Sequence, residues 1–430
     1  MPKNIFIVGL DDFNLERLRN IRHAERYRFH RLLELGKLKS FESLSIRDEL
    51  NGAAEKLRSF DGSIDAIIGF WDFPVSIMVP ILANQFGTIS PSLESVVKCE
   101  HKYWSRLEQS RVIGEHVPEF TAVNPIDDNP LSQIDLDYPF WLKPVKAYAS
   151  KLGFKVENED QFWKAIREVR GSIRQFADPF NYVLSLVDLP EEVKPVDGTH
   201  CVAEGIIDGH QCTLAGYVHQ GEVQTYGLIS SINYPGSSSF YRYQYPSKLP
   251  EEVKKRMSVI GKRVMAHVGF DNSPFNIEFF YHEETDRIWL LEINTRISQS
   301  HSYLFEKVDG SSNHQVLVEL ALDRIPDFPR NDGDFKCAAK FHLRAFEGEK
   351  ITNVPGEEQF RRVHEELPYV EILAEAEQGT SLADVPGRDS YSARLAVIYV
   401  AAENEDKLID KYRRCLDVLD YRVDGKKLRA

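Results

Sequence analysis

The chain has 430 residues, 42% of them apolar and 28% charged, which suits a soluble globular protein of two or three domains. A formal net charge of −13 argues against phosphate-backbone binding, so nucleic acid is not an expected partner. The cysteines (Cys99, Cys201, Cys212, Cys337, Cys415) are odd in number and form no C-x-x-C pair, which fits a reducing, cytoplasmic setting better than a disulfide scaffold.

Residues 5–9 read as a buried strand running into a Gly turn and residues 66–70 as another, with helical stretches such as 53–60 between them. Strands alternating with helices favour a parallel sheet, so residues 1–95 are expected to form a Rossmann-like α/β domain. Neither Gly9 nor Gly69 belongs to a G-x-G-x-x-G run. The chain also lacks a G-x-x-x-x-G-K-[ST] phosphate loop, an H-E-x-x-H zinc pair and a G-x-S-x-G elbow. The apolar run 4–10 is too short for a signal sequence and meets Asp11-Asp12 at once. The most hydrophobic region, 66–89, holds Asp72, Pro74 and Pro80, which suits a buried strand and core helix and not a membrane span.

Further on, His101-Lys102-Tyr103-Trp104-Ser105-Arg106 opens a helical run that ends before Val117-Pro118-Glu119-Phe120. In Tyr138-Pro139-Phe140-Trp141-Leu142-Lys143-Pro144, Phe140 and Leu142 share one face of a predicted strand, with Trp141 and Lys143 on the other. A lysine ending so apolar a strand calls for a partner, because ammonium groups are rarely buried alone. The loop 145–153 carries Lys146 and Lys151 among the small Ala147, Ala149 and Ser150, with Gly153 its one glycine. Residues 179–198 are polar, hold Pro190 and Pro195, and are expected to form a surface insertion. Residues 201–214 and 215–228 read as hairpins, the second turning at His219-Gln220-Gly221-Glu222. Strands return at 337–343, 371–373 and 392–400. An amphipathic helix over 403–419 follows, with Leu408, Tyr412, Cys415, Leu416 and Leu419 on one face.

The clearest feature lies at Phe275-Asn276-Ile277-Glu278 and Leu290-Leu291-Glu292-Ile293-Asn294-Thr295-Arg296, two short strands joined by a polar turn over 282–287. A turn centred on Thr285 sets Glu278 opposite Glu292, and like charges so placed weaken a sheet. Alternation puts Glu292 and Asn294 on one face and Trp289, Leu291 and Ile293 on the other. Two carboxylates and an amide oxygen on one face are what a hard divalent cation such as Mg2+ requires. An edge hairpin with its acids in water accounts for the same pattern.

Together these stretches resemble the ATP-grasp superfamily of ligases over roughly residues 95–325, whose metal signature is a Glu on one strand and E-[IMV]-N-x-R on the next. The resemblance implies a fold that is α/β and α+β. It comprises an N-terminal Rossmann-like domain (1–95), a central ATP-grasp domain (96–330, with a lid subdomain at roughly 125–208) and a small C-terminal α+β domain (331–430). It implies ATP and Mg2+ as cofactors, Mn2+ being an acceptable substitute, with the ion held by Glu278, Glu292 and Asn294. Lys102 and Lys143 match the lysines that touch nucleotide phosphates, although His101 stands where relatives have Asp. Glu204 matches the residue beside the adenine amino group, and Ile207 the one whose backbone reads the purine edge. Gln211 takes the place of a ribose-binding Glu, a role its amide oxygen can fill. The loop 145–153 corresponds to the phosphate lid, poorer in glycine than in many relatives.

Residues 292–301 look close to the run E-M-N-T-R-[IL]-Q-V-E-H of biotin carboxylases. Ser300, however, stands where those enzymes use a Glu to deprotonate bicarbonate, and their glycine-rich lid is missing. The remainder is more like carboxylate–amine ligases, amino-acid ligases among them. In those the Arg of the E-x-N-x-R run contacts the carboxylate or the acyl phosphate, which makes Arg296 the first catalytic candidate. Arg344 and Lys143 are the others; a surface strand arginine is the alternative for Arg344, and His301 is either a substrate contact or a structural histidine. The implied reaction is ADP-forming and joins a small-molecule carboxylate to an amine through an acyl phosphate, in a class where dimers are common. A biotin-carboxylase-like enzyme and a non-catalytic ATP-binding protein are the alternatives. The C-terminal domain is expected to cover the site and supply substrate contacts.

Overall fold

In the computed structural model the described residues are 2–38, 44–147, 152–389 and 391–429. The chain begins β1 (Lys3–Val8), α1 (Asp12–Arg19), β2 (Tyr27–Leu33), α2 (Leu35–Leu38), α3 (Ile46–Arg58), β3 (Ala66–Ile68) and α4 (Val75–Phe86). The strands form a parallel sheet in the order β2-β1-β3, as the alternation of strands and helices predicts. Asp11 and Ser45 cap α1 and α3, each accepting a backbone N–H three residues on. Gly9 leaves β1 at φ +76, where a side chain would be strained and would crowd Trp71.

α5 (Leu93–Glu100) and α6 (Lys102–Ile113) lead into a four-stranded sheet made of β4 (Phe120–Val123), β5 (Phe140–Pro144), β6 (Phe154–Val156) and, beyond two helices, β7 (Cys201–Gly205). Its order is β4-β7-β5-β6. The two helices, α7 (Glu159–Ser172) and α8 (Arg174–Leu184), bury Phe162, Ile166, Val169 and Ala177 against it. The expected surface insertion at 179–198 is not one. α8 runs through Pro179, and Phe180, Val183, Leu184, Val193 and Val196 are buried. The segment's average polarity conceals an apolar stripe at Phe176, Phe180, Val183 and Leu184, spaced i, i+4, i+7, i+8.

Next come β8 (His210–His219), β9 (Glu222–Asn233), β10 (Phe240–Tyr245), α9 (Glu251–Val268), β11 (Ser273–His282), β12 (Arg287–Asn294), α10 (Ser302–Asp309) and α11 (His314–Ala321). The C-terminal part adds β13 (Cys337–Ala345), β14 (Ile351–Asn353), α12 (Glu357–Glu366), β15 (Glu371–Ala374), β16 (Gly387–Arg388), β17 (Ala393–Ala402) and α13 (Glu405–Val418). One sheet runs β12-β11-β8-β9-β10-β13-β17-β15, with β16 also on β17. Gln220 and Gly221, both at positive φ, make the two-residue turn between β8 and β9. α9 packs Met257, Ile260 and Val264 with Leu214 and Ile277 on one face. On the other face α10 packs Tyr303, Leu304 and Phe305 with Ala215 and Ile229. The apolar stripe of α13 is as read, with Leu408, Tyr412, Cys415 and Leu416 buried. β10 pairs with β13 from Arg242–Phe341 to Tyr245–Ala338, so the sheet crosses residue 330 without a break. Among the described residues no helix is long and apolar enough to cross a membrane.

Candidate active site

β11 and β12 pair antiparallel, with Glu278 opposite Glu292, Ile277 opposite Ile293 and Asn276 opposite Asn294. The register is the one predicted, reached by a different route. The turn occupies Glu283 to Asp286, half a residue earlier than a centre on Thr285, and a bulge at Leu291 makes up the offset by pairing Phe279 with Leu290. The bulge also breaks the predicted alternation. Ile288, Leu290 and Ile293 are buried, whereas Trp289, Leu291, Glu292 and Asn294 are half-exposed. Trp289 and Leu291 therefore do not share the face of Ile293.

Burial, followed by the facing Glu292, pushes the Glu278 carboxyl up to about 7. Gln211 on β8 donates to Glu278 Oε2 at 2.9 Å. Asn294 donates to Asn276 Oδ1 at 3.1 Å and to Glu278 Oε1 at 3.5 Å, so its own Oδ1 has no donor among the described residues. Asn276 is buried and donates in turn to the Arg296 carbonyl at 2.9 Å. Nothing but this chain of contacts marks Asn276 as part of the site. Two carboxylates and a free amide oxygen thus share one face with negative charge in excess, and the set fits Mg2+. Among the described residues no three His, Cys, Asp or Glu side chains gather as a metal cluster, so the amide oxygen of Asn294 would have to complete this one.

Lys102, the first residue of α6, lies 3.7 Å from Glu292 Oε1 and donates to the Ala147 carbonyl at 3.2 Å. Burial lowers its pKa. His101 caps this helix, its Nδ1 accepting the Trp104 N–H at 3.2 Å while Nε2–H donates to the Val196 carbonyl at 2.8 Å. Burial brings this imidazole down to about 4, so near pH 7 it is neutral with its proton on Nε2. Its lone pair caps as a carboxylate would, and the departure from Asp leaves the helix start intact. Replacing His101 by Ala is expected to cost about 1–2 kcal/mol in urea unfolding, through the lost cap and an unpaired carbonyl.

Lys143 pairs with Glu204 Oε2 at 2.7 Å. Glu204 is buried and also held by Arg106, Nε to Oε1 at 2.9 Å and Nη2 to Oε2 at 3.2 Å. Burial opposes its charge, but Arg106 and Lys143 outweigh burial and bring Glu204 down to about 2. The same guanidinium donates to the carbonyls of Leu290 and Leu291 at 2.9 and 3.0 Å. Arg106 therefore ties β7 to the bulge beside Glu292. Its one signal in the sequence is its place four residues after Lys102, on the same side of a helix. Ile207 lies between β7 and β8, and its backbone N–H and C=O make no hydrogen bond among the described residues.

Arg296 Nε donates to Asp72 Oδ1 at 2.6 Å and Nη1 to the Ile297 carbonyl at 3.1 Å, so the N-terminal sheet brings an acid to the site. Burial disfavours the Asp72 charge, and Arg296 more than offsets it. A lone acid in the most hydrophobic stretch was the available signal for Asp72. Lys146, in the loop likened to the phosphate lid, pairs with the buried Glu100 at 2.5 Å. Ala149, Ser150 and Lys151 of the lid loop lie outside the described residues. Arg344 is not a surface arginine: it is buried on β13, paired with Asp389 at 2.7 Å and Ser392 Oγ at 2.9 Å. His301 is buried with its ring against Tyr243.

Residues 136–302 match the model of the ATP-grasp domain. That stretch of the chain is similar to an ATP-grasp domain. A curated relative, the carbamoyl phosphate synthase large chain of Bifidobacterium longum (strain DJO10A), is 33% identical over 93 residues, 22% of this chain and only 8% of that protein's length. Among solved structures, the L-amino acid ligase from Bacillus licheniformis matches with a TM-score of 0.72 and 16% identity, over 98% of this chain and 99% of its own. Carboxyaminoimidazole ribonucleotide synthase from Aspergillus clavatus, complexed with ATP, matches at 0.65 and 15% identity, over 97% of this chain and 98% of its own. At such identities the likeness is one of fold alone, and it covers nearly the whole chain.

Proposed function

We propose that the protein is an ADP-forming carboxylate–amine ligase that works through an acyl phosphate on amino acids or related small acids. The reading is carried by the Glu278–Glu292–Asn294 face with Lys102 beside it, on an ATP-grasp scaffold. Those three residues would hold Mg2+, or Mn2+ in its place, and the ion would supply charge neutralisation to the nucleotide phosphates. Lys102 and Lys143 offset the remaining phosphate charge. The free Ile207 backbone reads adenine, and Gln211, whose amide N–H is spent on Glu278, turns its oxygen to the ribose hydroxyls. Arg296, oriented by Asp72, holds the carboxylate whose oxygen attacks the γ-phosphorus. An amine then attacks the acyl carbon and phosphate leaves. Positioning and electrostatics suffice, and no side chain need form a covalent bond.

A full-length likeness to an L-amino acid ligase supports the acid–amine reading. Ser300 weighs against carboxylation, since a hydroxyl cannot serve as the base that bicarbonate needs. A cytoplasmic location and a homodimer complete the proposal. The purified protein with MgATP, hydroxylamine and pools of amino and hydroxy acids is expected to give pool-dependent hydroxamate and ADP. Glu292→Ala should lower ADP formation by about 100-fold or more, and wild-type turnover in that variant removes the metal assignment. ADP formation that needs bicarbonate and no amine identifies a carboxylase instead, and MgATP binding without turnover a non-catalytic protein.

A further inference from the structure

The sheet face that carries Glu278 continues into a basic pocket that the reaction above does not use. Strand register fixes the geometry. Phe280 pairs with Gln211, and Cys212 with Ser230, which sets Gln211 beside Ser231. Ser231 pairs with Tyr243, Tyr243 with Lys340, and Lys340 with Tyr399. Residues opposite one another point to the same face, so this row leads from the Gln211–Glu278 contact to Lys340 across three strand spacings, about 14 Å. The His301 and His342 rings stand edge-on to Tyr243 at 5.3 and 5.0 Å, and Lys340 Nζ lies 5.8 Å from the same ring. Tyr243 is half-exposed, whereas Lys340, His342, His301 and Arg344 are each at most 9% exposed. Buried polar side chains thus surround the half-exposed Tyr243 ring.

Those side chains hold donors that lack acceptors. Lys340 Nζ donates to Ser300 Oγ at 2.9 Å, and among the described residues no carboxylate lies within 4.0 Å of it. A Glu at position 300 would neutralise this ammonium, but serine leaves it uncompensated. Arg394 Nη1 donates to His342 Nδ1 at 3.4 Å, which puts the His342 proton on Nε2, where it has no acceptor. Arg344 Nε–H is likewise unpaired. The nearby acids are already engaged, Glu375 with Arg394 through two hydrogen bonds and Asp389 with Arg344. Burial and then Lys340, Arg394, Arg344 and His301 hold His342 well below the usual histidine range. Burial and then Arg394 push Lys340 down to about 7 against the pull of Glu375. Buried donors left unmet are costly and rare in native structures, so an external group is expected to meet them. An anion with several oxygens would offer these donors acceptors and restore the lysine charge. A lining that offers unmet N–H donors and no unengaged carboxylate suits the acid and not the amine.

We propose that Lys340, His342 and Arg344 bind a second anionic group of the acid substrate, a carboxylate or a phosphate, so that the acid activated beside Glu278 and Glu292 is a dianion. This deepens the ligase reading and rests on it for which carboxylate is activated, while the anion site is tested without turnover. The full chain, loaded with Mg2+ and a non-hydrolysable ATP analogue, is titrated calorimetrically with matched pairs. The pairs are L-glutamate and L-glutamine, O-phospho-L-serine and L-serine, and glutarate and butyrate. At least one dianion is expected to bind tenfold or more tighter than its partner. Lys340→Met and Ser300→Glu should each erase that preference while the nucleotide analogue still binds, which shows the variants folded. The glutamate and phosphoserine arms distinguish a carboxylate from a phosphate. Equal binding within every pair, no binding of any dianion, or a preference that survives both variants overturns the proposal. Dianion binding with no hydroxamate from any acid would instead remove the ligase reading and leave the anion pocket standing.

Discussion

Glu278→Gln is expected to make the metal-free protein more stable and its ATP chemistry at least about 100-fold slower. Both effects have one cause. Burial and the facing Glu292 raise this carboxyl from a reference of 4.5 to about 7, so the fold resists its ionisation. The folded pKa lies above the unfolded one in an acid, so the penalty is absent below about pH 4.5, grows as pH rises and is complete above about 7. A shift of that size corresponds to up to about 3 kcal/mol. An amide of the same shape keeps the oxygen that Gln211 bonds and removes the charge. Urea unfolding without metal should therefore show the variant ahead at pH 8 and level with wild type near pH 4. Saturating Mg2+ should reverse the order, because wild type gains the binding free energy and the variant does not. A variant no more stable than wild type at pH 8 would mean that the two carboxylates are not held in opposition.

Arg106→Leu is expected to lower stability by roughly 3–5 kcal/mol, the usual cost of removing one partner of a buried ion pair. Its guanidinium is 2% exposed, and each of its five N–H groups has an acceptor: two Glu204 oxygens, the Leu290 and Leu291 carbonyls and Gln109 Oε1. Leucine strands the two bulge carbonyls and leaves Glu204 with Lys143 alone. Lysine at 106 offers three donors from one point and should recover only part of the loss. Because the bulge sets where Glu292 stands, Mg2+ affinity should fall in both variants. Unfolding within about 1 kcal/mol of wild type for Arg106→Leu would show that the bulge holds without this arginine.

What the sequence reveals and what it hides follow from the range of the interactions. Glu278 facing Glu292 is legible because a hairpin is local and its register can be counted. The bulge at Leu291 is hidden, since an inserted residue leaves the apolar composition of β12 unchanged. α13 declares itself through periodicity, whereas β2 does not, its pattern of burial following no alternation. Arg106 meets Glu204 98 residues away and the Leu291 carbonyl 185 away, distances over which no local pattern reports. The Lys340 pocket is hidden for the same reason, being assembled from β10, β13 and the turn at Ser300.

The continuity of β10 with β13 bears on how such a chain is inherited. The stretch that matches the ATP-grasp model, 136–302, stops short of β13 and begins after both β4 and Arg106. Excised, it would expose the β10 edge from Arg242 to Tyr245 as a template for another strand, and it should self-associate. The stretch that the domain model describes is thus smaller than the stretch that closes its own sheet. Shuffling it between proteins would carry an open seam into each new host, so new specificities in this architecture are expected to arise by substitution within an intact frame.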